Sequence, residues 1–189
     1  MPSPERTSLD EIVATGAALL ESGGLDRLTM QAVAEQVGVR APSLYKRVRS
    51  RDHLIGLIAE RTLDELTDRL DSARGGFDAD PSDELRSLIT AFRAFAHARP
   101  NAYRLVFAQP AAFPLVAEDA LQRASRPVLE AMAALVGPDR SLDAARTVTA
   151  WTTGFLFLEL RGRFQLGGDV EQAFGYGIDL LAKGLALEA

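Results

Sequence analysis

Five basic side chains crowd the twelve residues Arg40-Ala-Pro-Ser-Leu-Tyr-Lys-Arg-Val-Arg-Ser-Arg51, and no acid interrupts them. The chemistry such a cluster suits is phosphate binding, with arginine also able to pair bidentately with guanine O6 and N7. Other chemistries find little material. There are no cysteines, which excludes disulfides, thiolate metal sites and cysteine nucleophiles. His53 and His97 stand far apart and form no metal-ligand spacing. Gly23-Gly24 and Gly167-Gly168 look like helix-ending turns, and neither is followed by Lys-Ser/Thr as a phosphate-cradling loop requires. The residue types thus point away from an enzyme, a metal site or a cofactor and towards binding.

The charge is unevenly placed. Residues 1–55 carry seven basic and seven acidic side chains; residues 56–189 carry 14 and 19, which accounts for the net charge of −5. Affinity for a polyanion must come from the local patch, since the remaining surface repels phosphate. With 189 residues there is ample material for a buried core, in one domain or two small ones. No apolar run approaches 18 residues and no basic-then-apolar leader opens the chain, so the expectation is a cytoplasmic protein without membrane contact.

The elements that must position the cluster read as helices nearly throughout, and no period-2 strand is convincing. Ser8 caps a first helix carrying Leu9, Ile12, Val13, Leu19 and Leu20, closed by Gly23-Gly24. Thr29 caps a second, with Met30, Val33, Ala34 and Val37 inward; Gly38 suits a left-handed turn, and Pro42 fits the first turn of a third helix. Ser50 or Asp52 starts a long fourth helix that ends before Gly75-Gly76, and residues 73–81 form a linker. Further helices are expected over Ser82 to Ala98, Asn101 to Ala108, Val116 to Val136, Ser141 to Phe164 and Asp169 to Leu187, with an irregular Pro110–Pro114 region. About nine helices make an all-α fold.

Two short helices around a glycine turn, the second ending in basic residues, describe a helix-turn-helix DNA reader. Arg40, Ala41, Pro42 and Ser43 open the third helix and would face base edges. Tyr45, Lys46, Arg47, Arg51 and the Thr29 hydroxyl are suited to phosphates. The same spacing would also serve an ordinary helical hairpin with a solvated basic face; the local charge reversal favours the reader.

Leu28-Thr29-Met30…Ala34…Gly38-Val39…Leu44-Tyr45…Arg47-Val48-Arg49-Ser50-Arg51…Leu54 resembles the N-terminal domain of the tetracycline-repressor (TetR) family over roughly residues 6–66. That family shows Thr, Ala, Gly-Val, Leu-Tyr-x-His-Phe and Lys at these places. Here Arg47 stands for the His, Val48 for the Phe and Arg51 for the Lys, and phosphate-binding donors are kept. The resemblance implies a DNA-binding domain over residues 1–50 and a ligand-binding and dimerisation domain over 51–189. It implies a homodimer on a palindromic operator, a transcriptional repressor whose small-molecule effector changes the spacing of the two heads. His97 to Phe107 and Trp151 to Phe164 are similar to a WHG-type C-terminal subgroup, with Thr153 where that subgroup carries His.

In the C-terminal domain, Phe92, Phe95, Tyr103, Phe107, Phe113, Trp151 and Phe155 could wall an apolar pocket, with Arg104 or Glu159 orienting an apolar or amphipathic ligand. Plain core is the alternative for each aromatic, and pairing with Arg163 the alternative for Glu159. Val148, Trp151, Phe155, Leu158 and Gly162, then Phe174, Ile178, Leu181 and Leu185, recur at spacings of three and four, the second stripe running beside small Ala173, Gly177 and Gly184. They suit a four-helix dimer interface, though the stripes alone would equally serve the core of one protomer. The competing functions are a helical interaction module that no longer reads DNA and a regulator without a ligand.

Overall fold

The computed structural model describes residues 7–76, 80–108 and 116–187. Among them are nine helices and no strand: α1 Leu9–Arg27, α2 Met30–Gln36, α3 Ala41–Leu44, α4 Arg51–Ala73, α5 Pro81–Ala98, α6 Pro100–Phe107, α7 Glu118–Val136, α8 Ser141–Glu159 and α9 Val170–Ala186. Their starts follow side-chain chemistry. Ser8 Oγ accepts the Glu11 N–H, Thr29 Oγ1 that of Ala32, and Asp169 Oδ1 that of Glu171, each replacing a helical acceptor that the first turn lacks.

Two ends differ from the periodicity. Regular α1 geometry breaks at Gly23 and Gly24, the latter at φ 72°, yet a further turn continues to Arg27. α8 stops at Glu159, not Phe164. The amide of Gly162 donates to Glu159 O and that of Arg163 to Leu158 O, a Schellman closure with Gly162 at φ 60°. Gly162 therefore lies in a turn beyond the helix on whose stripe it was expected.

The chain forms two compact units. The first comprises residues up to Leu63 together with Arg99–Ala120. In it Ile12 and Leu20 of α1, Leu28, Val33 of α2, Leu44 of α3, Val48, Leu54 and Ile58 of α4, and Tyr103 and Leu105 of α6 are buried. The second comprises Asp64–Ala98 and Leu121–Ala189. Its core includes Leu66 and Leu70 of α4, Leu85 and Phe95 of α5, Met132 of α7, Val148 and Leu156 of α8, and Phe174 of α9. Arg74 Nε holds Glu84 at 2.7 Å and its Nη1 holds Glu130, while Arg126 holds Asp71 at 2.8 Å, closing one edge of this unit with charge. The boundary falls inside α4, so that helix has a share in both. No helix among the described residues is long and apolar enough to cross a membrane.

Candidate nucleic-acid interface

Gly38 makes the turn between α2 and α3. At φ 72° it occupies the left-handed region, its amide donating to Glu35 O and that of Val39 to Ala34 O. Pro42 then enters the first turn of α3, where a missing N–H costs nothing. Leu44 and Val48 are fully buried and hold this short element down. That anchoring leaves Arg40, Pro42, Ser43, Tyr45, Lys46 and Arg47 exposed, with Ala41 half-buried. Thr29 is exposed at the start of α2; its oxygen accepts from Ala32 N–H, and its hydroxyl proton remains able to donate.

The start of α4 is closed reciprocally. Ser50 Oγ accepts the His53 N–H at 3.0 Å, while His53 Nδ1 accepts the Arg49 N–H at 3.1 Å. Arg51 was expected on phosphate. Its Nε instead donates to Leu28 O at 2.7 Å and its Nη2 to Leu25 O at 2.6 Å, spanning from α4 to the end of α1. The geometry gives this guanidinium a structural task, whatever donors it has left.

In the second unit, Trp151, Phe155 and Phe174 stack within 5.1–5.6 Å of one another, and Phe164 joins at 4.8 Å from Phe155. Phe92 is buried and Phe95 fully so, with the Arg69 guanidinium 5.5 Å from the Phe95 ring centre. Tyr103 and Phe107 stack at 5.2 Å in the first unit, where Arg104 Nη1 donates to Asn101 Oδ1. Phe113 and the Pro110–Pro114 region lie outside the described residues. Burial pushes the Tyr103 phenol up to about 12. A groove of about 400 Å³ in the second unit is lined by Glu65, Asp68, Arg69, Ser72, Ala91 and Ala94, none of them an expected pocket residue.

Glu159 does not turn to Arg163. Arg93 of α5 grips it with Nη2–Oε1 at 2.6 Å and Nε–Oε2 at 3.1 Å, and His97 Nε2 lies 3.2 Å from Oε2. Burial alone would raise its pKa, but the hydrogen bonds from Arg93 and then His97 outweigh it and hold the carboxyl below its usual range. Arg93 also reaches Glu171 at 2.5 Å and lies 4.4 Å from the Phe174 ring centre, so this one arginine ties α5 to α8 and α9.

Of the expected dimer residues, Val148, Phe174, Gly177 and Ile178 are buried within the protomer and Phe155 and Leu181 half-buried; Leu158 and Gly184 are exposed. Gly177 is needed inside: a Cβ there would overlap the Trp151 indole. The apolar residues that face outward are Leu142, Phe157 and Leu158 on α8 and Tyr176, Leu180 and Leu187 around α9.

Residues 5–58 match the family model of bacterial regulatory proteins, tetR family, and residues 85–181 match that of the tetracyclin repressor-like C-terminal domain. The chain belongs to the TetR family. It is a TetR-family helix-turn-helix transcriptional regulator, a class of non-enzymatic DNA-binding proteins. An HTH-type transcriptional regulator of Mycobacterium tuberculosis is 28% identical over 165 residues, spanning 84% of this chain and 73% of that protein. BioQ bound to its natural double-stranded DNA operator superposes with a TM-score of 0.69 at 24% identity, covering 96% of this chain and 99% of that one. A TetR variant of Acinetobacter baumannii in complex with minocycline gives 0.72 at 22%, covering 97% and 99%. At these identities the two structures testify to fold.

For this TetR-family chain, sequence reasoning overlooked the residues that lock elements together: Glu21, Arg93 and Asn101. Partners 66 to 81 residues apart leave no periodic trace. The single advance sign was an isolated acid inside an apolar run, and it picked out Glu159.

Proposed function

We propose that the protein is a homodimeric repressor that binds a palindromic operator and is released by a small apolar or amphipathic effector. The observation that carries this reading is the exposed basic stretch from Arg40 to Arg47, set around α3 after the glycine turn, in a chain that is acidic elsewhere. Residues 1–50 are assigned to DNA and residues 51–189 to ligand and partner. Arg40, Ala41, Pro42 and Ser43 reach base edges; Thr29, Tyr45, Lys46 and Arg47 hold phosphates, with Arg51 fixing the start of α4 beside them.

The second subunit docks on the outward apolar side chains of α8 and α9, namely Leu142, Phe157, Leu158, Tyr176 and Leu180, continued by Gly184 and Leu187. Exposed apolar side chains recurring on two adjoining helices support burial against a twin. Two features support an effector site in the second unit. Its aromatic group includes Trp151 and Phe155, and the Thr152 hydroxyl is buried with no hydrogen-bond partner among the described residues. The effector acts by binding the DNA-incompetent arrangement more tightly than the competent one.

Fragment selection from source genomic DNA at near-physiological salt tests the reading. Recovery of one palindrome, bound at two protomers per site, is the expected result. Binding that is weak, salt-sensitive and without sequence enrichment would overturn it.

A further inference from the structure

All but two of the chain's 21 cationic side chains are arginines, and the two lysines stand in opposite surroundings. Lys46 lies just beyond α3; it is exposed and forms no ion pair among the described residues. Arg40, Arg47, Arg49 and Arg51 are its neighbours in sequence, and no acid occurs from Gln36 to Arg51. Lys183 is also exposed, in the last turn of α9, but Asp179 stands one turn before it and Glu188 follows soon after. Arginine keeps its charge throughout the physiological range, and its delocalised guanidinium is a poor nucleophile. A lysine amine can be acylated, and the charge is then lost. Lys46 is therefore the one member of the basic stretch whose charge acyl transfer can erase.

We propose that Lys46 is an acylation site at which an acyl phosphate lowers the affinity for DNA. The unprotonated Nζ attacks the acyl carbon and the C–O bond to phosphate breaks. Inorganic phosphate leaves with that electron pair, and the proton displaced from nitrogen passes to solvent. A neutral amide then stands where a cation stood. The surrounding arginines draw in the anionic donor, whereas the acids around Lys183 repel it. Exposure matters as well: Arg51 is bonded to the main chain, while Lys46 offers its amine to solvent. The regulatory half of the inference rests on the reading that Lys46 holds a DNA phosphate.

The test treats the intact protein with acetyl phosphate and, in parallel, with the uncharged ester p-nitrophenyl acetate, and follows both lysines by peptide mass spectrometry. With acetyl phosphate, acetylation at Lys46 should outpace that at Lys183 by at least about threefold; with the neutral ester the two rates should draw together. Salt at about 0.5 M should shrink the first ratio and leave the second. The acetylated protein should bind the selected DNA about three- to tenfold more weakly, with a salt slope lower by about one per head. Lys46→Arg keeps the charge and removes the amine, so the same treatment should leave that variant's affinity where it began.

Equal rates at the two lysines with acetyl phosphate, or a preference that survives salt, would overturn the proposal. So would a loss of affinity that Lys46→Arg shares. Selective acetylation with unchanged affinity would remove Lys46 from the phosphate contacts, and the regulation with it. If the untreated protein binds no DNA, the DNA-reading function itself falls, and the regulatory claim falls with it.

Discussion

Arg40 and Arg51 sit at opposite ends of the same basic stretch, one exposed and the other bonded to the main chain. Arg40, exposed ahead of α3, is the proposed reader; Arg40→Ala should erase preference among related operators while leaving non-specific affinity within about threefold. Equal loss on every sequence, in competition binding, would count against base reading. Arg51 spans two main-chain carbonyls. Arg51→Ala should lower unfolding free energy by about 1–2 kcal/mol in a denaturant titration, the bonds being partly exposed. Arg51→Lys should restore only part, because one ammonium cannot reproduce the planar fork. The basic cluster was legible as charge in the sequence, but not which of its members would turn inward. That depends on where the carbonyls of Leu25 and Leu28 come to lie against α4, which chain order alone does not reveal.

Helices and their caps were more readily legible, because Ser8, Thr29, Gly38 and Pro42 act on neighbours only a few residues away. The apolar stripes of α8 and α9 were found at their true period, but which side of each faced inward was not. Bulk decides it: Gly177 lets α9 approach Trp151, and Val148, Phe174 and Ile178 follow it into the core. Gly177→Ala should therefore destabilise by about 1–3 kcal/mol and shift the emission of Trp151, the single tryptophan. Truncation in Trp151→Phe should relieve much of that cost; additive losses in the double variant would refute the overlap. Glu159, held below the usual 4.5, stabilises the packed helices above that pH and loses its contribution as the medium acidifies through its folded value. The stability gap between unaltered protein and Glu159→Gln should accordingly narrow on acidification. Tyr103 runs the other way: its phenol, raised to about 12, contributes fully below pH 10 and ceases to do so as pH rises towards 12. Across that range the protein should lose on the order of 2–3 kcal/mol of stability, readable from melts.

The exposed basic stretch around α3 belongs to one unit and the outward apolar side chains of α8 and α9 to the other, with α4 contributing residues to both. If those helices pair two protomers, Leu180→Lys should yield a folded monomer by sedimentation and weaken palindrome binding far more than half-site binding. An unchanged dimer would move the interface elsewhere. The assignment of α6 to the unit of the reading head could not be foreseen from a division of the chain by family resemblance, since Glu21 and Asn101 meet only after folding.

The imidazole at the foot of α4 has a consequence of its own. An amide proton pointing at Nδ1 requires a lone pair there, so His53 must be the neutral Nε2-H tautomer. That single acceptor ties the Arg49 main chain to the first turn of α4, immediately after the basic stretch around α3. His53→Phe would keep a ring there but forfeit that acceptor, so amide exchange at Arg49 should quicken while the core of α4 keeps its protection.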